Sequence, residues 1–257
     1  MNSESLEIIE NSNIYGNTFL LTMKQSDSIS KSSPGQFVMV FPSDKFEPLL
    51  GRPMSIHRVN PNKKTFSILY HVIGQGTLLI SKMQKGDYIK IIGPLGNPIP
   101  YNRKADNFLL IAGGIGIAPL VWFADQLISA KKNVVLLIGA RDKNNLFPLK
   151  KLQKEIEVQV MTDDGSEGIK GFVTDKITSY ENWADEICLC GPEVMFESAN
   201  KIINSFASQV PAYALFEKEM ACGLGICYGC AIKDNNNKSR LVCTKGPTFN
   251  LSEIYNN

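Results

Sequence analysis

The sequence predicts an antiparallel β barrel, then a parallel-sheet α/β unit, then a small cysteine-rich C-terminal segment, and three observations carry this fold class. Short apolar runs broken by Gly, Pro, Ser and Asn fill the chain up to about position 100. From Asn107 the grammar changes to apolar strand, glycine-rich turn and apolar helix. Four of the six cysteines then fall between positions 222 and 243. A chain of 257 residues can bury two separate cores and carry an appendage. Boundaries are expected near 101 and 211, giving units 1–100, 101–210 and 211–257.

In the first unit the runs FLLTM, QFVMVF, FSILYHV and DYIKIIG have strand length and are separated by turn-forming clusters, the punctuation of an antiparallel barrel. In the second, FLLIAGGIGIAPL takes an apolar strand through glycines into a helix that continues along VWFADQLISA, and VVLLIGA is the next buried strand. This order is a βαβ unit, hence parallel strands. The alternation continues with EVQVMTDD as a strand, a helix starting near Thr174, EICLCG as a strand, and a helix after Pro192 through MFESANKIINSFA. Such a sheet offers the carboxyl ends of its strands to a ligand. Beyond Pro211 the polar run DNNNKSR is an exposed turn ahead of LVCTKGPTF.

A net charge of +2 with scattered lysines makes no field to gather nucleic acid or anionic lipid, so neither is expected as a partner. The opening MNSESLEIIENSNIYGN lacks the basic and apolar stretches of a secretory signal, and a cytoplasmic location is expected. No apolar run approaches the roughly 20 residues that cross a bilayer.

The cysteines carry the sharpest signal. Cys222, Cys227 and Cys230 have the spacing C-x4-C-x2-C, and Cys243 follows after twelve residues. The first three match the plant-type arrangement for a 2Fe-2S cluster, in which each iron takes two thiolates. Gly223, Gly225 and Gly229 are expected to accept left-handed backbone and to let amides approach the sulfurs. A zinc site also takes four cysteines, but usually as two C-x2-C pairs, and only one such pair is present. The fourth cysteine comes sooner than in plant ferredoxins, so the loop must pack against something larger. Cys188 and Cys190 lie on an apolar strand; core packing suits Cys188, and Cys190 opens the CGP turn at the strand's carboxyl end, beside a nucleotide.

Two stretches suit nucleotides. Arg52-Pro53-Met54-Ser55 is followed by Leu69-Tyr70-His71 and by Gly74-Gln75-Gly76-Thr77. An arginine, a hydroxyl and glycine-exposed amides fit a diphosphate, and Tyr70 has a ring to offer a flat flavin. Each fragment alone is weak, since Arg-Pro before a serine is commonly a strand end. Gly113-Gly114-Ile115-Gly116-Ile117-Ala118-Pro119 turns strand into helix with amides facing a phosphate; a tight connection without ligand is the competing explanation. Pro119 falls in the first helical turn, where its missing N–H costs nothing. His57 is expected to be a barrel residue. Asp163 and Asp164 fit either a ribose contact or a turn before Gly165, and Arg141 suits a surface ion pair better than a 2′-phosphate.

Taken together, RPMS, LYH, GT, GPLGN, GGIGIAP, CGP and the cysteine loop resemble the ferredoxin-reductase-type flavoproteins. Within that group, EKEMACGLGICYGCAIK with the downstream VCTKGPTF closely resembles the electron-transfer subunits of class B dihydroorotate dehydrogenases. The resemblance covers nearly the whole chain and implies a ferredoxin-reductase-like fold. It implies FAD held by Arg52, Pro53, Met54, Ser55, Leu69, Tyr70, His71, Gly76 and Thr77. It further implies NAD at Gly113, Gly114, Gly116, Pro119, Cys190, Gly191 and Pro192, and a 2Fe-2S cluster on Cys222, Cys227, Cys230 and Cys243. A catalytic partner with FMN is implied too, two copies of each subunit acting in pyrimidine biosynthesis. Similar subunits serve sulfide dehydrogenases, hydrogenases and ferredoxin-dependent NADP reductases, and the residues leave that choice open, as they leave NAD against NADP. The contrasting class is a zinc-bearing nucleotide sensor, which would be colourless.

Overall fold

The computed structural model describes residues 3–42 and 48–255. Six strands close the barrel: β1 (Ser3–Tyr15), β2 (Thr18–Lys24), β3 (Phe37–Phe41), β4 (Arg52–Asn60), β5 (Thr65–His71) and β6 (Tyr88–Leu95), in the order β1-β2-β5-β4-β3-β6. All pairs are antiparallel. Alternate residues such as Ile8, Leu21, Met23, Ile56 and Ile68 fill its interior, as the two-residue period of a half-buried strand requires. The helix α1 (Gln75–Lys82) follows β5.

The second unit is a seven-stranded sheet built from β7 (Asn107–Gly113), β8 (Asn133–Ala140), β9 (Glu157–Thr162), β10 (Ile169–Lys170), β11 (Glu186–Cys190), β12 (Ala212–Leu215) and a late strand described below. Helix α2 (Ile117–Ser129) covers one face and α3 (Glu193–Asn204) the other. The apolar runs explain this two-sided cover. In β8, Val134, Leu136 and Ile138 pack on the α2 side while Val135 and Leu137 pack on the α3 side, so neither face of the strand meets water. From α2, Leu120, Phe123 and Leu127 are at most 1% exposed, and each such side chain stabilises the fold by about 1.5–3 kcal/mol.

Two details depart from the sequence-based expectation. The helix expected near Thr174 is a 3-10 turn over Val173–Tyr180; Thr174, Asp175, Thr178 and Ser179 are weak helix formers, and the Asp175 carboxylate accepts from the Phe172 N–H to tighten the start. The sheet also continues past the cut expected near 211. There β12 pairs parallel with β11, and β15 (Thr248–Asn250) pairs antiparallel with β12 at the edge.

Between β12 and β15 lies the cysteine segment, with its hairpin β13 (Ala231–Lys233) and β14 (Ser239–Leu241) and the short helix α4 (Val242–Lys245); α5 (Leu251–Ile254) ends the chain's described part. The DNNNKSR run is the hairpin turn, gathered by Asp234, whose carboxylate accepts from the Asn236 and Lys238 amides and from Arg240. Barrel residues Phe37, Met39 and Leu95 share one core with Met220, Cys230, Val242 and Cys243, so the cysteine segment is bolted to both larger units. No helix among the described residues is long and apolar enough to cross a membrane.

Candidate functional site

Where barrel, sheet and cysteine segment meet there is a cavity of about 530 Å³. Arg52, Pro53, Met54 and Ser55 of β4, Leu69, Tyr70 and His71 of β5, and Gly76 and Thr77 of α1 all line it. They converge because β4 and β5 are paired neighbours and α1 leaves directly from the end of β5. The Arg52 guanidinium lies flat on Gly76: a Cβ at that position would stand 2.2 Å from Nε. Only glycine leaves room for the fork beside the first turn of α1, whose amides have no intrahelical acceptor. A cation beside free N–H groups has the chemistry that suits a diphosphate.

Not every expected group is free to bind. The Thr77 hydroxyl accepts from the Ile73 and Gly74 amides and donates to the Gly74 carbonyl, so it organises the turn itself. Tyr70 is 1% exposed, its ring packs against Phe19 inside the barrel and its hydroxyl donates to Asn11. Tyr70 thus lines the cavity from a strand buried on both sides, with its ring packed in the barrel core. His71 is held through Nδ1 by the Thr18 hydroxyl at 2.6 Å, and burial lowers its pKa.

The two nucleotide turns are brought together by register. Ala112 of β7 pairs with Cys190 of β11, so the GGIGIAP and CGP turns emerge side by side. A Cβ on Gly116 would lie 2.0 Å from the Cys190 carbonyl oxygen, one on Gly113 2.8 Å from Met195 Sδ, and one on Gly191 3.0 Å from the Gly113 Cα. These glycines let the two backbones touch. Gly114 is different: its φ is +55° and a Cβ there would meet nothing, leaving the turn's outer face open to a phosphate. Pro119 is buried in the first turn of α2. The Cys190 thiol is buried among apolar side chains, which drives its pKa upward, so what this residue offers the turn is backbone. Cys188 is buried on the same face. Ile115 and Ala118, from the glycine turn and α2, line the same cavity as Arg52.

In the cysteine loop Gly223 and Gly225 take φ of +69° and +79°. Gly229 does not; Tyr228 is the left-handed residue there, at +60°. Gly229 instead keeps space near Cys227, whose Sγ would be 3.6 Å from an added Cβ. Gly223 presses on Met39 and Leu95 of the barrel, with a Cβ approach of 2.8 Å to Met39 Cγ. The Cys243 N–H approaches Cys230 Sγ at 3.5 Å inside the shared core, while Cys222 is half-buried and Cys227 exposed. Among the described residues no three His, Cys, Asp or Glu side chains converge closely enough to ligate one ion. Against the upward push of burial, the amides of Leu224, Cys227 and Ile226 pull the Cys222 thiol down to about 6, the Leu224 N–H donating to Sγ at 3.3 Å. Burial and the neighbouring Cys230 thiol push Cys243 up to about 11. Cys227 is exposed, whereas Cys230 and Cys243 are 2% exposed and belong to the shared core.

Sequence reasoning missed the cavity's remaining wall, which is Phe37 together with Phe216 to Met220 and Pro247 of the cysteine segment. The signal was adjacency alone, since Met220 stands two residues before Cys222 and Pro247 four after Cys243. Glu217 lines the cavity with its side chain exposed to that open space, and desolvation by the surrounding protein raises its carboxyl pKa. Lys218, also in the wall, pairs with Glu193 at 2.8 Å.

A closed antiparallel barrel joined to a parallel sheet, with glycine turns and an arginine cradle at the junction, makes this a ferredoxin-reductase-type oxidoreductase. A chain of an NADH-dependent reduced ferredoxin-NADP oxidoreductase superimposes with a TM-score of 0.87 at 28% identity, covering 97% of this chain and 89% of that one. Residues 217–255 match the iron-sulfur cluster binding domain of dihydroorotate dehydrogenase B, and residues 110–201 match the oxidoreductase NAD-binding domain. The dihydroorotate dehydrogenase B (NAD(+)) electron transfer subunit of Clostridium acetobutylicum is 36% identical, over 96% of this chain and 95% of its own. Its homolog in Aquifex aeolicus is 35% identical, over 96% of each. The chain belongs to the family of dihydroorotate dehydrogenase B electron transfer subunits.

Proposed function

We propose that this chain is the electron-transfer subunit of an NAD-dependent dihydroorotate dehydrogenase of pyrimidine biosynthesis, passing electrons from the FMN of a catalytic partner through a 2Fe-2S cluster and FAD to NAD. The single observation that carries this is the shared cavity: one space is walled by the arginine cradle of the barrel, the glycine turn of the sheet and residues 216–220 and 247 of the cysteine segment. When bound there, a flavin supplies the exchange between the two-electron chemistry of a nicotinamide and the one-electron chemistry of a cluster.

In this proposal the chain's own residues bind and position. Arg52 through Ser55, Leu69 through His71, Gly76 and Thr77 hold FAD, and the cavity's volume lies within the range of cofactor sites. Gly113, Gly114, Gly116 and Pro119 with Cys190, Gly191 and Pro192 receive NAD. The four cysteines hold the cluster, and the amides around Cys222 stabilise its thiolate. The segments 1–100, 101–210 and 211–257 supply the FAD, NAD and cluster sites, with β12 and β15 of the last segment completing the sheet of the second. The exposed Cys227 faces the FMN subunit in a cytoplasmic assembly with two copies of each chain.

The test is reconstitution. The partner oxidises dihydroorotate with an artificial acceptor by itself and reduces NAD only when this chain, loaded with FAD and iron, is added. Absence of NADH formation by the fully loaded pair refutes the assignment. A second reading, electron exchange between NADH and a ferredoxin-type partner, is supported by the 0.87 superposition and predicts NADH-dependent reduction of ferredoxin instead.

A further inference from the structure

Strand β4 does more than line the cavity. Its pairing with β5 slips between Ile56 and Arg58, two residues on β4 against one on β5. In a regular strand His57 and Arg58 would point to opposite faces; this bulge turns both toward α2. His57 Nδ1 meets the Ala118 carbonyl oxygen at 2.7 Å, and Arg58 forks onto Asp125 at 2.6 and 3.2 Å while also donating to the Lys151 carbonyl. Ala118 and Asp125 are seven residues apart, two helical turns or about 10 Å on one side of α2. Strand and helix are thus gripped at two points.

Ala118 also lines the cavity, beside the glycine turn. The same nine-residue strand therefore holds the diphosphate cradle at Arg52–Ser55 and the nucleotide-binding helix at His57–Arg58. His57 is 2% exposed, and burial holds its pKa near 3, so the ring is neutral and Nδ1–H donates to the carbonyl. The other ring edge faces a pocket of about 150 Å³ shared with Phe147 and Ser67.

We propose that His57 and Arg58 are positioning residues that fix the glycine turn of α2 relative to the FAD cradle, and so set the approach of the nicotinamide to the flavin. This rests on the FAD and NAD assignments above. The assay reads the reverse of the proposed flow, in which NADH would leave as NAD⁺ after giving up a hydride, two electrons with one proton, and bound FAD would take that hydride together with a second proton from solvent. Neither residue touches the reacting atoms.

The experiment uses the full chain loaded with FAD and iron, as His57→Leu and, should that variant fold poorly, Arg58→Lys, which keeps the charge and loses the fork. Amide hydrogen exchange across residues 113–120 is expected to quicken about tenfold while β5 is unchanged, with FAD and iron contents at the parent's level. Anaerobic flavin reduction by NADH is expected to slow at least tenfold, with a weaker nicotinamide-flavin charge-transfer band and NADH affinity altered far less. His57→Gln, which restores an N–H donor, is expected to recover part of both. Parent-like exchange and parent-like reduction in the variants overturn the proposal. If NADH fails to reduce the parent's flavin, the functional assignment falls and this proposal with it; if it reduces parent and variants equally, only the clamp falls.

Discussion

Replacing Gly76 by alanine separates cofactor binding from folding. The added Cβ would lie 2.2 Å from Nε and 2.3 Å from Cζ of Arg52, and the three nearest atoms all belong to that flexible side chain. The fold can absorb the methyl by letting the guanidinium swing away, and alanine favours a helix over glycine by up to about 1 kcal/mol. Displacement of the fork removes hydrogen bonds to a charged group, each worth about 1.5–3 kcal/mol, which is roughly 10- to 150-fold in Kd. FAD-free Gly76→Ala should therefore melt at or above the parent's temperature, while a flavin fluorescence titration shows FAD binding weakened by that factor. Undiminished FAD affinity would mean the Arg52–Gly76 contact is not a phosphate cradle. A large drop in melting temperature would mean that the contact is structural.

Three further outcomes follow from the geometry. Cys227→Ser should lose the iron and its visible absorbance while retaining FAD, whereas Cys188→Ala, buried in the sheet core, should keep both; iron analysis beside the flavin spectrum separates them. Gly116→Ala sets a Cβ 2.0 Å from a backbone oxygen that has no room to yield, and denaturant titration should show a loss of about 3 kcal/mol, against about 1–2 kcal/mol for Gly114→Ala, where only the +55° φ is strained. His57 has a folded pKa of about 3, below its ordinary 6.5, so its contribution is intact above pH 6.5 and is lost as pH falls from 6.5 toward 3. At pH 5 that loss is about 2 kcal/mol, and the stability gap between the parent and His57→Leu should shrink by that amount relative to pH 7.5; a constant gap would contradict the buried neutral imidazole.

Much of the molecule was legible in one dimension because its signals are local. Alternation in DYIKIIG and continuous apolarity in VVLLIGA report burial on one or both sides of a strand, a property of consecutive residues. The C-x4-C-x2-C spacing reports how a short loop must close around two irons. Gly116 could be read as a turn glycine, although its reason, the Cys190 carbonyl at the neighbouring strand's end, could not.

The sequence by itself determined the order of units, the cluster of four cysteines and the arginine and glycine signatures, since each depends on residue type and near spacing. Only the tertiary structure decided what faces what. It turned Tyr70 into the barrel, closed the sheet with β15 from beyond the cysteine loop, and set Cys243 against Cys230 in the shared core. It also placed Met220 and Pro247 against Arg52's cavity and aimed His57 at α2 through a one-residue slip in pairing. These are contacts between segments far apart in the chain, set by strand register and by the packing of one shared core, and no local pattern of residues encodes them.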